Sequence, residues 1–321
     1  MFALGTFADG GDAFAGLVVD DRVVDLRTAL GSDINTAALL ADWPDSLERL
    51  RQLAECDLGR AMPLSALRPL PPISPARQVF CAGANYITHL REMAYTGARG
   101  APGESRPDEE VKAEAEIAVQ NFLAAKAPPF VFTVQSSALS GAHDDVVLWG
   151  PGSAHDWELE LAIVIGRAAR DVTPGEAMGH VAGYTIANDI STRDVMFRPN
   201  FPLSDFLMSK GRPTFKPTGP YLVPREFVED YRQLRIRLKV NGEVMQDEAV
   251  ADIMFGVEEL VSYTSSVTPL EPGDLLLTGS PAGNAGIHGN RWLRPGDVIE
   301  AEITGLGSQR NTCVPDPRHR N

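Results

Sequence analysis

Asp156-Trp157-Glu158-Leu159-Glu160-Leu161-Ala162-Ile163-Val164-Ile165-Gly166 opens in strict alternation and closes in an unbroken apolar run. Together these read as a β-strand that passes into a buried core. Side chains two apart on a strand share a face, so Glu158 and Glu160 stand side by side while Trp157, Leu159 and Leu161 face the other way. Such alternation usually marks a half-buried strand with its polar face in water. If the acidic face is buried instead, the two carboxylates need a cation to offset desolvation and mutual repulsion, and a hard divalent metal supplies one. A metal site also needs a third oxygen ligand.

A chain of 321 residues can bury a large core and hold two domains. Its formal charge of −14 argues against nucleic acid or an anionic membrane surface as partner. An anionic small molecule then needs local positive charge from a metal, an arginine or a lysine. Cys56, Cys81 and Cys313 form neither a close-spaced metal motif nor a disulfide framework, as in a reducing cytosol. Met1 to Gly10 shows no basic segment leading into an apolar core, and no run approaches the roughly 18 apolar residues of a membrane span. The expectation is a cytoplasmic protein.

Residues 1–68 read as a small α+β domain, with strands around the Asp9-Gly10-Gly11-Asp12 turn and helices over 37–40 and 47–54. The proline-rich stretch 69–78 can be neither helix nor central strand and reads as a linker to a second domain, 79–321. There a short buried strand, Val79 to Gly83, leads into Ala84-Asn85-Tyr86-Ile87-Thr88-His89-Leu90-Arg91-Glu92. His89 and Glu92 are neighbours if this segment is helical. A carboxylate there fixes the imidazole tautomer and raises its basicity, as a general base requires, although a surface ion pair has the same spacing. The Gly- and Pro-rich stretch from Thr96 to Pro107 reads as a loop, and 107–126 as a helix with Val111, Ala115, Ala118 and Phe122 on one face. The segment 84–127 is either an active-site lid, an interface element or a neutral insertion. Asp189 ends a buried strand, where a ligand fits better than a surface charge. Asn241-Gly242 predicts a tight hairpin between strands beginning at Leu234 and Glu243.

In sequence order, the Gly83-to-Glu92 segment, the Asp156-to-Gly166 strand, Gly183-Tyr184 running to Asp189 and Arg193-Asp194, Lys210 followed by Phe215, Pro217, Gly219 and Pro220, and Leu277-Thr278-Gly279-Ser280-Pro281-Ala282-Gly283 together resemble the fumarylacetoacetate hydrolase family over about 79–314. The resemblance implies a β-rich α+β fold: a mixed β-sandwich roll preceded by the small N-terminal α+β domain, assembled as a homodimer. It implies Mg²⁺, or Mn²⁺ or Ca²⁺, on Glu158, Glu160 and Asp189; a His89–Glu92 dyad that activates water; Lys210 at the substrate oxygens; and substrate contacts from Arg193, Thr278, Gln135 and Tyr86.

The chain departs from the family pattern in two places. Thr133-Val134-Gln135-Ser136 stands where members often carry Phe-Leu-Lys-Pro, so Gln135 replaces a pocket lysine, and Met196 stands where a glutamine is common. Both changes remove polar groups and favour a larger or less charged substrate than small acylpyruvates. The activity implied is hydrolysis of a carbon–carbon bond in a 1,3-dicarbonyl or 2,4-diketo acid. The same metal and enolate chemistry also supports a decarboxylase, a tautomerase or isomerase, or a hydratase of 2-oxo acids. A non-catalytic scaffold is the alternative from another class.

Overall fold

In the computed structural model, which describes residues 1–30, 34–56, 59–99, 106–198 and 203–319, the protein is mixed α+β and rich in strands. The strand Leu159–Ile165 is buried along its whole length. It pairs antiparallel with Val181–Asn188 on one side and with Leu275–Leu277 on the other. These belong to an eight-stranded sheet ordered Phe130–Val134, Val79–Gly83, Leu275–Leu277, Leu159–Ile165, Val181–Asn188, Lys216–Thr218, Leu139–Gly141, with Val223–Pro224 beside Val181–Asn188.

The alternation at the start of the central strand does not mark a solvated face, because both faces are covered. Leu159, Leu161 and Ile163 join the largest apolar cluster. Ala162 and Val164 share Glu160's face and pack in a second cluster with Phe2, Leu4, Leu17, Leu40 and Trp43 of the N-terminal unit. That unit is a five-stranded sheet built from Ala3–Ala8, Phe14–Val19, Arg22–Asp25, Met62–Pro63 and Arg68–Pro69, with helices Thr36–Ala41 and Trp43–Ala54. Pro69, expected at the start of the linker, still pairs with Phe7. Leu4 and Leu222 exchange backbone hydrogen bonds of 2.9 and 2.7 Å, which joins the unit to the larger sheet. Continuous apolar runs are the rule for strands covered on both faces, and here the second layer is supplied by the N-terminal residues.

A further five-stranded sheet, Glu243–Ala249, Arg235–Val240, Val298–Ile303, Gly307–Pro315 and Val146–Leu148, closes the other side of the core. Along Val298–Ile303 burial alternates, so Ile299, Ala301 and Ile303 enter the core and Glu300 and Glu302 face out. The predicted hairpin forms, with positive φ at both Asn241 (54°) and Gly242 (82°) as a primed two-residue turn requires.

Helices Ile87–Arg99 and Asp108–Ala124 lie against each other in opposite directions: Arg91 pairs with Glu116, and Tyr95 donates to Asp108 at 2.9 Å. The buried strip of the second helix is Val111, Ala115 and Val119, whereas Ala118 and Phe122, expected on that face, are exposed. The register explains Phe122. With residue 116 opposite 91, residue 122 lies past Ile87, where the partner helix begins.

Gly183 makes the closest backbone approach in the main sheet; a Cβ there would come within 2.0 Å of the Val223 carbonyl oxygen. Gly183→Ala is expected to destabilise the protein by about 1–3 kcal/mol or more by overpacking. An unchanged urea midpoint would show that the two strands can part without cost.

Candidate metal centre and its cavity

The antiparallel register sets Leu159 opposite Asn188, so the start of one strand meets the end of the other. The Asp189 N–H donates to the Glu158 carbonyl at 2.8 Å, and the Glu158 N–H donates to Asn188 Oδ1 at 3.0 Å. Glu158, Glu160 and Asp189 therefore share one corner. All three are buried, and one carboxylate oxygen from each lies within 4.8 Å of the other two.

Three cations surround this corner. Lys210, the last residue of the short helix Phe206–Lys210, donates from Nζ to Glu158 Oε2 (2.5 Å), Asp189 Oδ2 (2.8 Å) and Ser191 Oγ (2.6 Å). Lys216 is fully buried behind Asp189, pairs with its Oδ1, and also donates to the Lys210 carbonyl at 2.8 Å. Arg193 bridges Asp156 Oδ2 at 2.8 Å and Glu158 Oε1 at 2.5 Å. Asp156 in turn accepts the N–H groups of Trp157 (2.9 Å) and Ala285 (2.8 Å), tying the strand start to the loop after Gly283. Gly279, in the left-handed region at φ 92°, donates its N–H to Glu160 Oε2 at 2.6 Å.

The electrostatics follow from this packing. Burial works to raise the Glu158 carboxyl, but Arg193 and Lys210 outweigh it and hold the group well below the usual carboxylate range. For Glu160, burial dominates and the neighbouring Asp189 and Glu158 push the carboxyl further up, well above that range. Burial would lower Lys210, yet Asp189 and Glu158 keep its ammonium firmly protonated. Among the four buried carboxylates, Glu160 lacks a close ammonium or guanidinium partner among the described residues. A divalent cation is the group that would let Glu158, Glu160 and Asp189 all stay ionised, and three anionic oxygens at this spacing suit a hard ion.

The corner forms the floor of a cavity of about 250 Å³. His89, Glu158, Glu160, Asp189, Arg193 and Lys210 all line it. His89 comes from the helix Ile87–Arg99, whose first turn is pinned from both sides. Asn85 Nδ2 donates to the carbonyls of Thr278 (2.8 Å) and Phe255 (3.0 Å), and the Thr88 N–H donates to Asp252 at 2.8 Å. Glu92 Oε2 is held by the Gly283 N–H at 2.9 Å and lies 3.8 Å from His89 Nδ1. That separation is too long for a hydrogen bond.

Three residues expected at the substrate do not line the cavity. The Thr278 hydroxyl donates instead to the Leu161 carbonyl at 2.9 Å. Tyr86 is fully buried in the large core, where the pairing of its backbone with Ile253 directs it. Gln135 is exposed because the period of two that turns Phe130 and Phe132 toward the cavity turns residue 135 away.

The sequence reading missed Lys216, Ser191 and Asp156. The available signal for Lys216 was a lysine inside the otherwise uncharged Phe215-to-Pro220 segment. It also missed an apolar wall of Met93, Phe130, Phe132, Phe197 and Phe206, of which only the Phe130-Val131-Phe132 alternation was visible.

The chain is thus a β-rich α+β protein with three buried acids at a strand corner, under a His-bearing helix. The family model of the fumarylacetoacetate hydrolase C-terminal domain matches residues 78–314. The chain belongs to the fumarylacetoacetate hydrolase family. It is 32% identical over 296 residues to the mitochondrial oxaloacetate tautomerase FAHD2B of Homo sapiens, covering 88% of this chain and 84% of that protein. It is 38% identical over 206 residues to a 2,4-didehydro-3-deoxy-L-rhamnonate hydrolase of a Sphingomonas species, covering 63% and 70%. Among solved structures, maleylpyruvate hydrolase from a Sphingobium species, in complex with manganese(II) and pyruvate, superposes with a TM-score of 0.72 at 26% identity over 98% of this chain and 99% of that one. Relatives of this chain thus include hydrolases and tautomerases. No helix among the described residues is long and apolar enough to cross a membrane.

Arg193 bridges two buried carboxylates, Asp156 and Glu158. Arg193→Met is expected to lower the unfolding free energy by about 3–5 kcal/mol, the usual cost of removing one partner of a buried ion pair. Guanidinium unfolding of the metal-free protein measures it, and a change within about 0.5 kcal/mol would mean that the pair is solvated in solution.

Proposed function

We propose that the protein is a divalent-metal-dependent enzyme that hydrolyses a carbon–carbon bond in a 1,3-dicarbonyl or 2,4-diketo acid. The supporting observation is a single cavity that joins three carboxylates able to hold a metal to an imidazole, His89. Glu158, Glu160 and Asp189 would hold Mg²⁺ or Mn²⁺, which when bound supplies chelation of two substrate oxygens and Lewis-acid polarisation of a carbonyl.

The chain's own groups do the rest. His89 Nε2 takes a proton from water, and that water adds to the distal carbonyl. Glu92, fixed by the Gly283 N–H, steadies the imidazolium; a small rotation of the ring closes the gap, as catalytic hydrogen bonds often tighten only when substrate binds. The carbon–carbon bond breaks because the departing carbon is α to a second carbonyl and leaves as an enolate. The Lys210 ammonium stands beside that developing charge. The imidazolium then returns its proton to the carbon.

A second reading, tautomerisation or isomerisation of a 2-oxo acid, is favoured by the 3.8 Å gap. His89 Nδ1 has no hydrogen-bond partner among the described residues, and an imidazole without a fixed tautomer can still carry a proton between carbon and oxygen. The tautomerase relatives support it. The two readings part on products. Release of pyruvate and a carboxylic acid from a 2,4-diketo acid is the outcome expected of hydrolysis, whereas enol–keto interconversion without cleavage identifies the second. Turnover of either kind rules out a scaffold.

His89→Ala is expected to lower kcat by about 10²–10⁴ and to leave Mn²⁺ affinity unchanged. Wild-type turnover in that variant would assign the proton transfers to another base. Glu160→Ala is expected to weaken Mn²⁺ binding by at least about tenfold, read by calorimetry. Stoichiometric metal retained at wild-type affinity would remove Glu160 from the ligand set.

A further inference from the structure

The charged floor takes up only part of the cavity. The remaining wall is apolar: Phe130, Phe132 and Phe206, with Met93, Met196 and Phe197. Phe132 and Phe206 stack with centroids 4.4 Å apart at 27°, and Phe130 lies 5.9 Å from each. Phe206 and Lys210 are the first and last residues of one short helix, so the aromatic wall and the floor are held at a fixed separation. Lys210 Nζ lies 5.8 Å from the Phe132 centroid.

The rings are not simply core. Phe130 is 55% exposed and Phe197 65%, a concentration of uncovered aromatic surface at one cavity mouth that a soluble chain carries where something binds. The permanently charged cations on the lining are Arg193 and Lys210, and both are already committed to Asp156, Glu158 and Asp189. Among the described residues, no other lysine or arginine lines the cavity to receive a second carboxylate. At the floor, four carboxylates meet three cations. A bound divalent ion therefore leaves one positive charge in excess, which one carboxylate head neutralises.

We propose that the apolar end seats an uncharged aryl tail, or an apolar tail of similar bulk, on a 2-oxo acid head, and that the cavity discriminates against dicarboxylates such as oxaloacetate. Phe132 and Phe206 offer the tail a π-face, Phe130 closes over its edge, and Met93 and Met196 adapt to its outline. The inference rests on the chelating floor of the proposed function.

Three inert compounds sharing one head test it on the Mn²⁺-loaded protein by titration calorimetry. Oxamate carries the head alone, N-phenyloxamate adds a phenyl tail, and N-oxalylglycine adds a second carboxylate at similar length. N-phenyloxamate is expected to bind at least about tenfold more tightly than oxamate, and N-oxalylglycine no more tightly than oxamate. Phe206→Ala should abolish the phenyl gain without changing oxamate binding. Phe130→Ala, at a largely exposed position, should reduce that gain severalfold. The proposal is overturned if N-oxalylglycine matches N-phenyloxamate, or if the phenyl gain survives both substitutions. If oxamate itself does not bind, the chelating floor has failed and the tail seat falls with it. If oxamate binds and the phenyl adds nothing, only the tail seat has failed.

Discussion

Four carboxylates, those of Asp156, Glu158, Glu160 and Asp189, are buried within a few residues of one another where two antiparallel strands meet. Unpaired, such a group is among the most costly arrangements a protein can fold around. Much of the nearby structure acts to make it tolerable. A helix of five residues ends where its lysine reaches two of the acids. A second lysine is buried completely behind Asp189. Arg193 bridges the two acids at the strand start, and single backbone N–H groups from Gly279 and Ala285 reach Glu160 and Asp156. Three fixed cations against four anions leave a deficit that suits a divalent ion and a single anionic head.

Relatives of this chain have named activities that range from hydrolysis to tautomerisation. On the function proposed above, a floor that stabilises an enolate would serve all of these reactions, and the helix carrying His89 and the walls would set where a proton or a water is delivered. The start of that helix is tied through Asn85, Thr88 and Glu92. Across the helix hairpin built on it runs an exposed ion pair, Arg91–Glu116, of a kind that contributes little stability.

The residues Asp156 to Gly166 were enough to place a strand with two acids on one face, and Asp189 at the end of an apolar run was legible as a ligand, although grouping the three came from the family resemblance and not from local pattern. Local pattern carried those readings because strand period and apolar continuity are properties of neighbours in the chain. The Asn241-Gly242 hairpin was legible for the same reason, since the turn demands two residues tolerant of positive φ. The seat of Val119 in place of Ala118 and Phe122 was not, because it depends on where the partner helix begins.

What the acids face could be decided only by the tertiary structure. Lys216 is 27 residues beyond Asp189 in the chain and becomes its partner through strand placement alone. Thr278 and Tyr86 looked like pocket residues by motif position, yet packing turned both into the interior. The aromatic wall joins Phe130 and Phe132 to Phe206, over 70 residues away. Sequence determined which charged groups share a face, because strand period travels with the chain. Long-range register decided which groups compensate them and what kind of molecule fits in the space left over, because those contacts join segments with no local relation to one another.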